Sequence, residues 1–291
     1  MDETKRGVQS IEVGGRLLAV MASADEALML RDIAAGAAVT PAQAHAYLVS
    51  FRKIGLVQQA SASGRYSLGP FALQLGLARL RSIDALRLAG DSIVELASEL
   101  GVMVTLTVWG SFGATVVQAQ EGAGQVHVSV RAGTVYSVRG TATGRVFAAF
   151  LPPAMVAEHL ESEINDGTIA QRVGYAAADD RFAKNVARIR REGFATAVGS
   201  PIPGVNAVCA PIFNHTGQIQ LAVTLIGPTK AVDVGPNSRQ VRRLLSFTEA
   251  VSAELGHDGS MRSPDPERVP APAPAVTHPG KLAPRRPERR A

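Results

Sequence analysis

The chain has 291 residues, a formal charge of +5 and one cysteine, Cys209. That length can bury one large core or two smaller ones, and two domains is the expectation. No apolar run is long enough to span a bilayer, no signal-peptide apolar region opens the chain, and a lone cysteine excludes an internal disulfide framework; a soluble cytoplasmic protein is expected.

Residues 1–7 are polar and expected to fray. From Gln9 to Met21 the apolar residues Ile11, Val13, Leu17, Leu18 and Met21 suit one helix, which Gly14 and Gly15 weaken. A loop with Asp25 and Glu26 leads to a second helix, Leu30 to Ala37, with Leu30, Ile33 and Ala34 facing inward. Gly36 and the small residues after it make a tight turn into a third helix, Thr40 to Ile54. Thr40 can cap this helix, Pro41 suits its first position, and Gly55 suits the site just past its end. Ala44, Tyr47, Leu48 and Phe51 recur at helical spacing, leaving a mixed face of Ala42, Gln43, His45, Ala46, Ser50, Arg52 and Lys53. Two short helices joined in this way read as a helix-turn-helix whose second helix can lie in a DNA major groove.

Leu56 to Gln59 and Arg65 to Gly69 flank a Gly-containing tip and read as a β-hairpin. Behind a helix-turn-helix such a hairpin is a wing, whose Arg65 can touch phosphate or the minor groove. Pro70 to Ile83 continues as a helix with apolar residues on more than one face, so it should pack on something besides its own domain. Next come a helix from Leu86 to Leu100 and strands at Met103–Trp109, Thr115–Gln120 and Val126–Arg131. Helices are expected at Thr143–Phe150, Ala154–Leu160, Asp179–Glu192 and Asn237–Leu255, with a strand pair at Val208–Phe213 and Gln218–Ile226. Strand pairs on short turns, with helices between the groups, argue for α+β with an antiparallel sheet.

Residues 259–291 hold eight of the seventeen prolines, and seven Lys or Arg against three Asp or Glu, so they supply +4 of the net charge. The high pI is therefore no argument for DNA binding by the folded part. With few large apolar side chains this tail cannot offset its ordering entropy and is expected to be disordered.

The order of these parts resembles the IclR family of bacterial transcriptional regulators over roughly residues 8–256. Val8-Gln9-Ser10-Ile11 is similar to the family's opening and Gly64-Arg65-Tyr66-Ser67-Leu68-Gly69 to its wing ending. Thr141-Ala142-Thr143-Gly144-Arg145 with Phe147-Ala148-Ala149-Phe150-Leu151-Pro152 resembles its central segment. Arg190-Arg191-Glu192-Gly193-Phe194-Ala195 and Gly204-Val205-Asn206-Ala207-Val208-Cys209-Ala210-Pro211-Ile212-Phe213 resemble its late stretch, with Gly217 and Gly227-Pro228 also in place. The resemblance implies a winged helix-turn-helix (8–70), a linker helix (71–85), an antiparallel-sheet, GAF/profilin-like effector-binding domain (86–258) and, outside it, the tail (259–291). It also implies a homodimer or tetramer that binds a palindromic double-stranded operator, represses a catabolic operon and senses a small organic acid, with no cofactor or metal.

Two departures qualify the resemblance. The family's recognition helix carries Ser-Thr and an Arg where this chain has Ala42, Gln43 and Ala46, with only His45 kept. Gln43 can bond an adenine edge and Ala42 or Ala46 can pack on a thymine methyl, so an unusual operator or weaker affinity is expected. Ala142, Thr143 and Gly144 open an apolar helix, where free N–H groups and the dipole favour an anion, and Gly144 lets a carboxylate approach the backbone. Across from this loop the family's polar positions read Ala197, Ala207, Thr224 and Ile226, which favours a larger, less polar effector such as an aromatic acid.

Other chemistries fit less well. Cys209 lies in an apolar strand and reads as core, not nucleophile. The six histidines, 45, 127, 159, 215, 257 and 278, form no metal-ligand spacing. There is no P-loop or dinucleotide fingerprint, so an enzyme is not expected. The rival is a ligand-binding protein whose helix-turn-helix is a protein–protein surface.

Overall fold

A computed structural model describes residues 7–24, 26–82, 84–122, 130–165 and 181–259. The chain divides into two compact units between Asp84 and Ala85.

The first unit holds α1 (Gln9–Ala22), α2 (Leu30–Gly36), α3 (Pro41–Lys53), β1 (Val57–Gln59), β2 (Tyr66–Leu68) and α4 (Pro70–Ser82). Its core is Leu17, Met21, Ile33, Ala34, Ala37, Ala44, Leu48, Val57 and Tyr66, one or two residues from each of the elements around it. Ile11 is 73% exposed; α1 crosses its neighbours further along, at Gly14, Leu17 and Met21. That crossing explains two glycines. A Cβ on Gly14 would meet Phe51 Cζ at 2.9 Å, and one on Gly36 would meet Val20 Cγ1 at 2.9 Å. Gly36 is thus a packing residue, and the turn after α2 is made instead by Ala38, in the left-handed region at φ 54°. β1 and β2 pair antiparallel, and a bridge from Leu28 to Tyr66 adds a third strand segment to the wing.

The second unit holds α5 (Ala85–Leu100), β3 (Met103–Gly110), β4 (Gly113–Gln120), β5 (Val135–Tyr136), α6 (Ala142–Phe150), α7 (Pro153–Asn165), α8 (Arg181–Glu192), β6 (Ala195–Val198), β7 (Val205–Phe213), β8 (Ile219–Pro228) and α9 (Arg239–Glu254). The six strands form one sheet in the order β5-β4-β3-β8-β7-β6, and every pairing is antiparallel. Strand side chains alternate between faces. Val104, Leu106, Val208, Ala210, Val223 and Leu225, all fully buried, lie on the face covered by α5 and α9. Met103, Ala114, Val116, Ala195, Cys209 and Ala222 lie on the other, with Val146, Phe147 and Phe150 of α6. Glu99 of α5 accepts hydrogen bonds from Arg243 Nε at 2.7 Å and faces Arg239 Nη2 at 3.5 Å on α9. The Arg243 bond above all holds its carboxyl below the usual range.

The expected α+β architecture with an antiparallel sheet is what the chain forms. β5 and β6 are additions to the strands expected from sequence. Of the strand expected at Val126–Arg131, residues 126–129 lie outside the described residues, and Val130 and Arg131 are not in a strand. The tail from Ser260 onward also lies outside them. No helix among the described residues is long and apolar enough to cross a membrane.

Candidate functional site

α3 presents the first candidate surface. Thr40 Oγ1 accepts from Gln43 N at 3.3 Å, and Gln43 Oε1 accepts from Thr40 N at 3.2 Å, completing a reciprocal capping box. The carboxamide expected to read a base edge therefore also closes the helix N-terminus, and only its NH₂ end is left to reach outward. Ala44 and Leu48 are buried, while Ala42, Gln43, His45, Ala46, Ser50, Arg52 and Lys53 are exposed together. Ser50 Oγ turns back to the Ala46 carbonyl at 3.2 Å. Arg52 Nη1 donates to Gln59 Oε1 at 2.9 Å, and Gln59 Nε2 donates to the Gly64 carbonyl at 2.9 Å. These bonds tie the last turn of α3 to the wing. Arg65 Nη1 donates to the Ala27 carbonyl at 3.0 Å, which anchors the wing strand to the loop before α2 and leaves the other guanidinium N–H groups outward.

The second candidate lies where α6 meets the sheet. Thr141 Oγ1 accepts from Gly144 N at 2.9 Å and donates to the Ser137 carbonyl at 2.8 Å. Glu163 of α7 fixes that loop, accepting from Val138 N at 2.6 Å and from Ser137 Oγ at 3.1 Å. Arg145 clamps the start of α6 to the Arg139 carbonyl at 3.0 Å and to the Thr196 carbonyl of β6 at 2.8 Å. The N–H groups of Ala142 and Thr143 precede the intrahelical ladder, so α6 offers donors and the positive end of its dipole there.

Ala197, Ala207 and Ile226 are consecutive partners across β6, β7 and β8 and form one row of the sheet. In the next row Thr224 meets Thr143, their hydroxyls 2.8 Å apart. A cavity of about 40 Å³ lies among these five side chains' neighbours and counts Ala142, Thr143, Ala197, Ala207, Thr224 and Ile226 among its walls. It holds roughly one water as it stands.

Gly144 requires a correction. It does not line the cavity, its N–H is taken by Thr141, and a Cβ there would strike the Ser137 carbonyl oxygen and the Val138 Cα. The glycine is needed for the close approach of α6 to the 137–138 backbone, not for access by a carboxylate.

Sequence reasoning also missed polar groups on this face. Thr105, Thr107 and Tyr136 are buried, and Thr105 stands close enough to Tyr136 to lower its phenol against the effect of burial as a hydrogen-bonding neighbour does. Their signal was the recurrence of Thr at alternate positions in an otherwise apolar strand.

Cys209 lies beneath the same site. Burial pushes its thiol up to about 12, against the opposing effect of Thr224 and Thr143 hydroxyls. The folded chain is therefore expected to resist maleimide at neutral pH and to react only on unfolding, which timed labelling with mass spectrometry checks. Because the folded pKa exceeds the ordinary 9.0, this group's contribution is complete below about pH 9 and is lost as pH rises toward 12.

Comparison with known proteins decides what these surfaces belong to. The "IclR helix-turn-helix domain" matches residues 10–61, and "Bacterial transcriptional regulator IclR C-terminal" matches residues 77–253. The chain belongs to the IclR family of bacterial transcriptional regulators. The glycerol operon regulatory protein of Streptomyces griseus is 28% identical over 257 residues, covering 86% of this chain and 98% of that protein. The crystal structure of Pseudomonas aeruginosa HmgR superposes with a TM-score of 0.78 at 34% identity, covering 87% of this chain and 100% of HmgR. The chain is thus an IclR-type regulator with a helix-turn-helix and an effector-binding domain, and the family consists of regulators, not enzymes.

Proposed function

We propose that the chain is a ligand-responsive repressor of a catabolic operon that reads a palindromic operator as a homodimer or a pair of dimers and senses an aromatic acid. The observation that carries the sensing half is the cavity at the N-terminus of α6, where Thr143 and Thr224 join the apolar row Ala197, Ala207 and Ile226. Helix donors at Ala142 and Thr143 suit a carboxylate, and the row suits a ring. An aromatic acid is larger than the present 40 Å³, so the walls move when it binds. Such a ligand favours an opened arrangement over the closed one, which is the differential affinity that a switch requires.

For DNA, the reading rests on the exposed face of α3, with Thr40, Ala42, Gln43, His45, Ala46 and Ser50 near base edges and Arg52, Lys53 and Arg65 at phosphates. Pairing of protomers fits the exposed apolar side chains Leu73, Leu75 and Leu77 of α4, each 45–64% accessible.

A gel-shift titration of the DNA flanking the protein's own gene tests this, run at two salt concentrations with a panel of aromatic and aliphatic acids. A dimer making about four to six phosphate contacts is expected to lose roughly 10²–10³-fold in affinity between 50 and 200 mM salt. One aromatic acid should relieve the shift. Absence of any shift at low salt would point instead to a helix-turn-helix used as a protein–protein surface.

A further inference from the structure

A second cleft, of about 300 Å³, lies at the other end of α6, between α9 and the turn that joins α8 to β6. Phe150, Pro211, Phe213, Leu245 and Ala253 give it an apolar wall. The rings of Phe150 and Phe213 meet edge to face at 5.1 Å, and the His257 ring lies 5.3 Å from Phe213. After α9 ends at Glu254, the chain runs along this cleft, and His257, Asp258 and Gly259 all line it. Residues 260–291 therefore leave from its rim. They are an addition to the shared architecture: the family match ends at residue 253, and HmgR is covered over 100% of its length by 87% of this chain.

One part of that tail suits the wall. Val269-Pro270-Ala271-Pro272-Ala273-Pro274-Ala275-Val276 is apolar throughout and carries no charge that docking would have to desolvate. Its prolines fix φ and favour the extended polyproline conformation, so little backbone freedom is left to lose. Three of its eight residues have no N–H, so few donors would be cut off from water. Proline ridges of this kind dock against aromatic side chains. Val269 is ten positions beyond Gly259, a reach of roughly 18 Å for a flexible connection. At that distance the segment's effective concentration is on the order of millimolar, so a contact too weak to hold a free peptide is enough within one chain.

We propose that residues 269–276 dock in cis on the Phe150–Phe213 wall of this cleft. The tail is then an intramolecular ligand of the effector-binding unit, seated at the end of α6 opposite the effector cavity.

Photocross-linking on the full chain tests the proposal. Cys209 is fully buried, so in Ala273→Cys a benzophenone maleimide labels position 273 selectively. After irradiation, cross-links are expected within one chain, concentrated on the tryptic fragments 192–230 and 244–262 that carry the wall. A label placed at 283 through Ala283→Cys should give about 5-fold fewer. Ala253→Arg, which fills the cleft from an exposed position, should reduce the position-273 cross-links by a similar factor. Replacing Pro270, Pro272 and Pro274 together by glycine leaves the folded part untouched and should do the same. Cross-links spread evenly over the chain, or equal from both labels, would overturn the proposal, as would yields unchanged by both sets of substitutions. Products of doubled mass would overturn it in favour of a second copy's tail.

Discussion

Gly144→Ala is expected to destabilise the effector-binding unit by about 3 kcal/mol and to abolish the response to acid. The added Cβ would strike the Ser137 carbonyl oxygen and come within 2.5 Å of the Val138 Cα. Those are backbone atoms and cannot rotate away. The 137–138 backbone is itself held by the buried Glu163, which accepts from Ser137 Oγ and Val138 N, and by Thr141 Oγ1 donating to the Ser137 carbonyl. Either the loop moves, which leaves a buried carboxylate short of its donors, or α6 moves. If α6 moves, it breaks the Thr143–Thr224 contact and lifts Phe147 from the sheet, where that side chain is fully buried. Both routes cost more than a surface change does. For a unit of this size the melting temperature should fall by roughly 6–12 °C. Scanning calorimetry reads the shift, and a gel shift with and without acid reads the lost response. A fall of less than about 2 °C would mean that the loop yields at little cost and that Gly144 has another role.

How much of this was legible depended on whether the deciding interactions are local. The cap of α3 was readable because Thr40, Pro41 and Gly55 act within a turn of their own helix ends. The wing was readable for the same reason. β6 was not: Ala195-Thr196-Ala197-Val198 has no marked periodicity, and it is a strand because it pairs with Asn206–Cys209 of β7. β5 is two residues long and is a strand only by pairing with Ala114 and Thr115 of β4. Gly36 and Gly144 were assigned to a turn and to ligand access, the usual local uses of glycine. Their reasons are the side chain of Val20 and the backbone of Ser137, which sequence order does not place nearby. For the site, four sheet positions and the α6 loop were named from resemblance, and the structure gathers all but Gly144 around one cavity. Tyr136, another wall of that cavity, escaped because its place depends on strand order: β5 joins the sheet through β4. The apolar pocket inferred from Ala197, Ala207 and Ile226 is therefore only one wall.

Leu48→Ala should have the larger functional effect on DNA, with operator affinity falling sharply while acid binding persists. Leu48 is fully buried in a core of nine residues, three of them alanine, so one leucine carries a large share of the apolar area that holds α3 against α1 and α2. Removing its side chain costs about 2–5 kcal/mol. At roughly 0.05–0.15 kcal/mol per residue, a unit of this length has a total stability not far above that loss. The consequence differs from that of Arg52→Ala, which removes one cation and its bond to Gln59 and is expected to lower affinity modestly while reducing the salt slope. With Leu48→Ala the helix is no longer held in one orientation, so the whole exposed face from Ala42 to Lys53 is affected at once. Far-UV circular dichroism should show an early transition, gel shifts a loss of specific binding, and calorimetry an unchanged affinity for the acid. Unchanged operator affinity would show that contacts outside this core, from DNA or from a second protomer, orient α3. A parallel loss of acid binding would show that the two units do not fold independently.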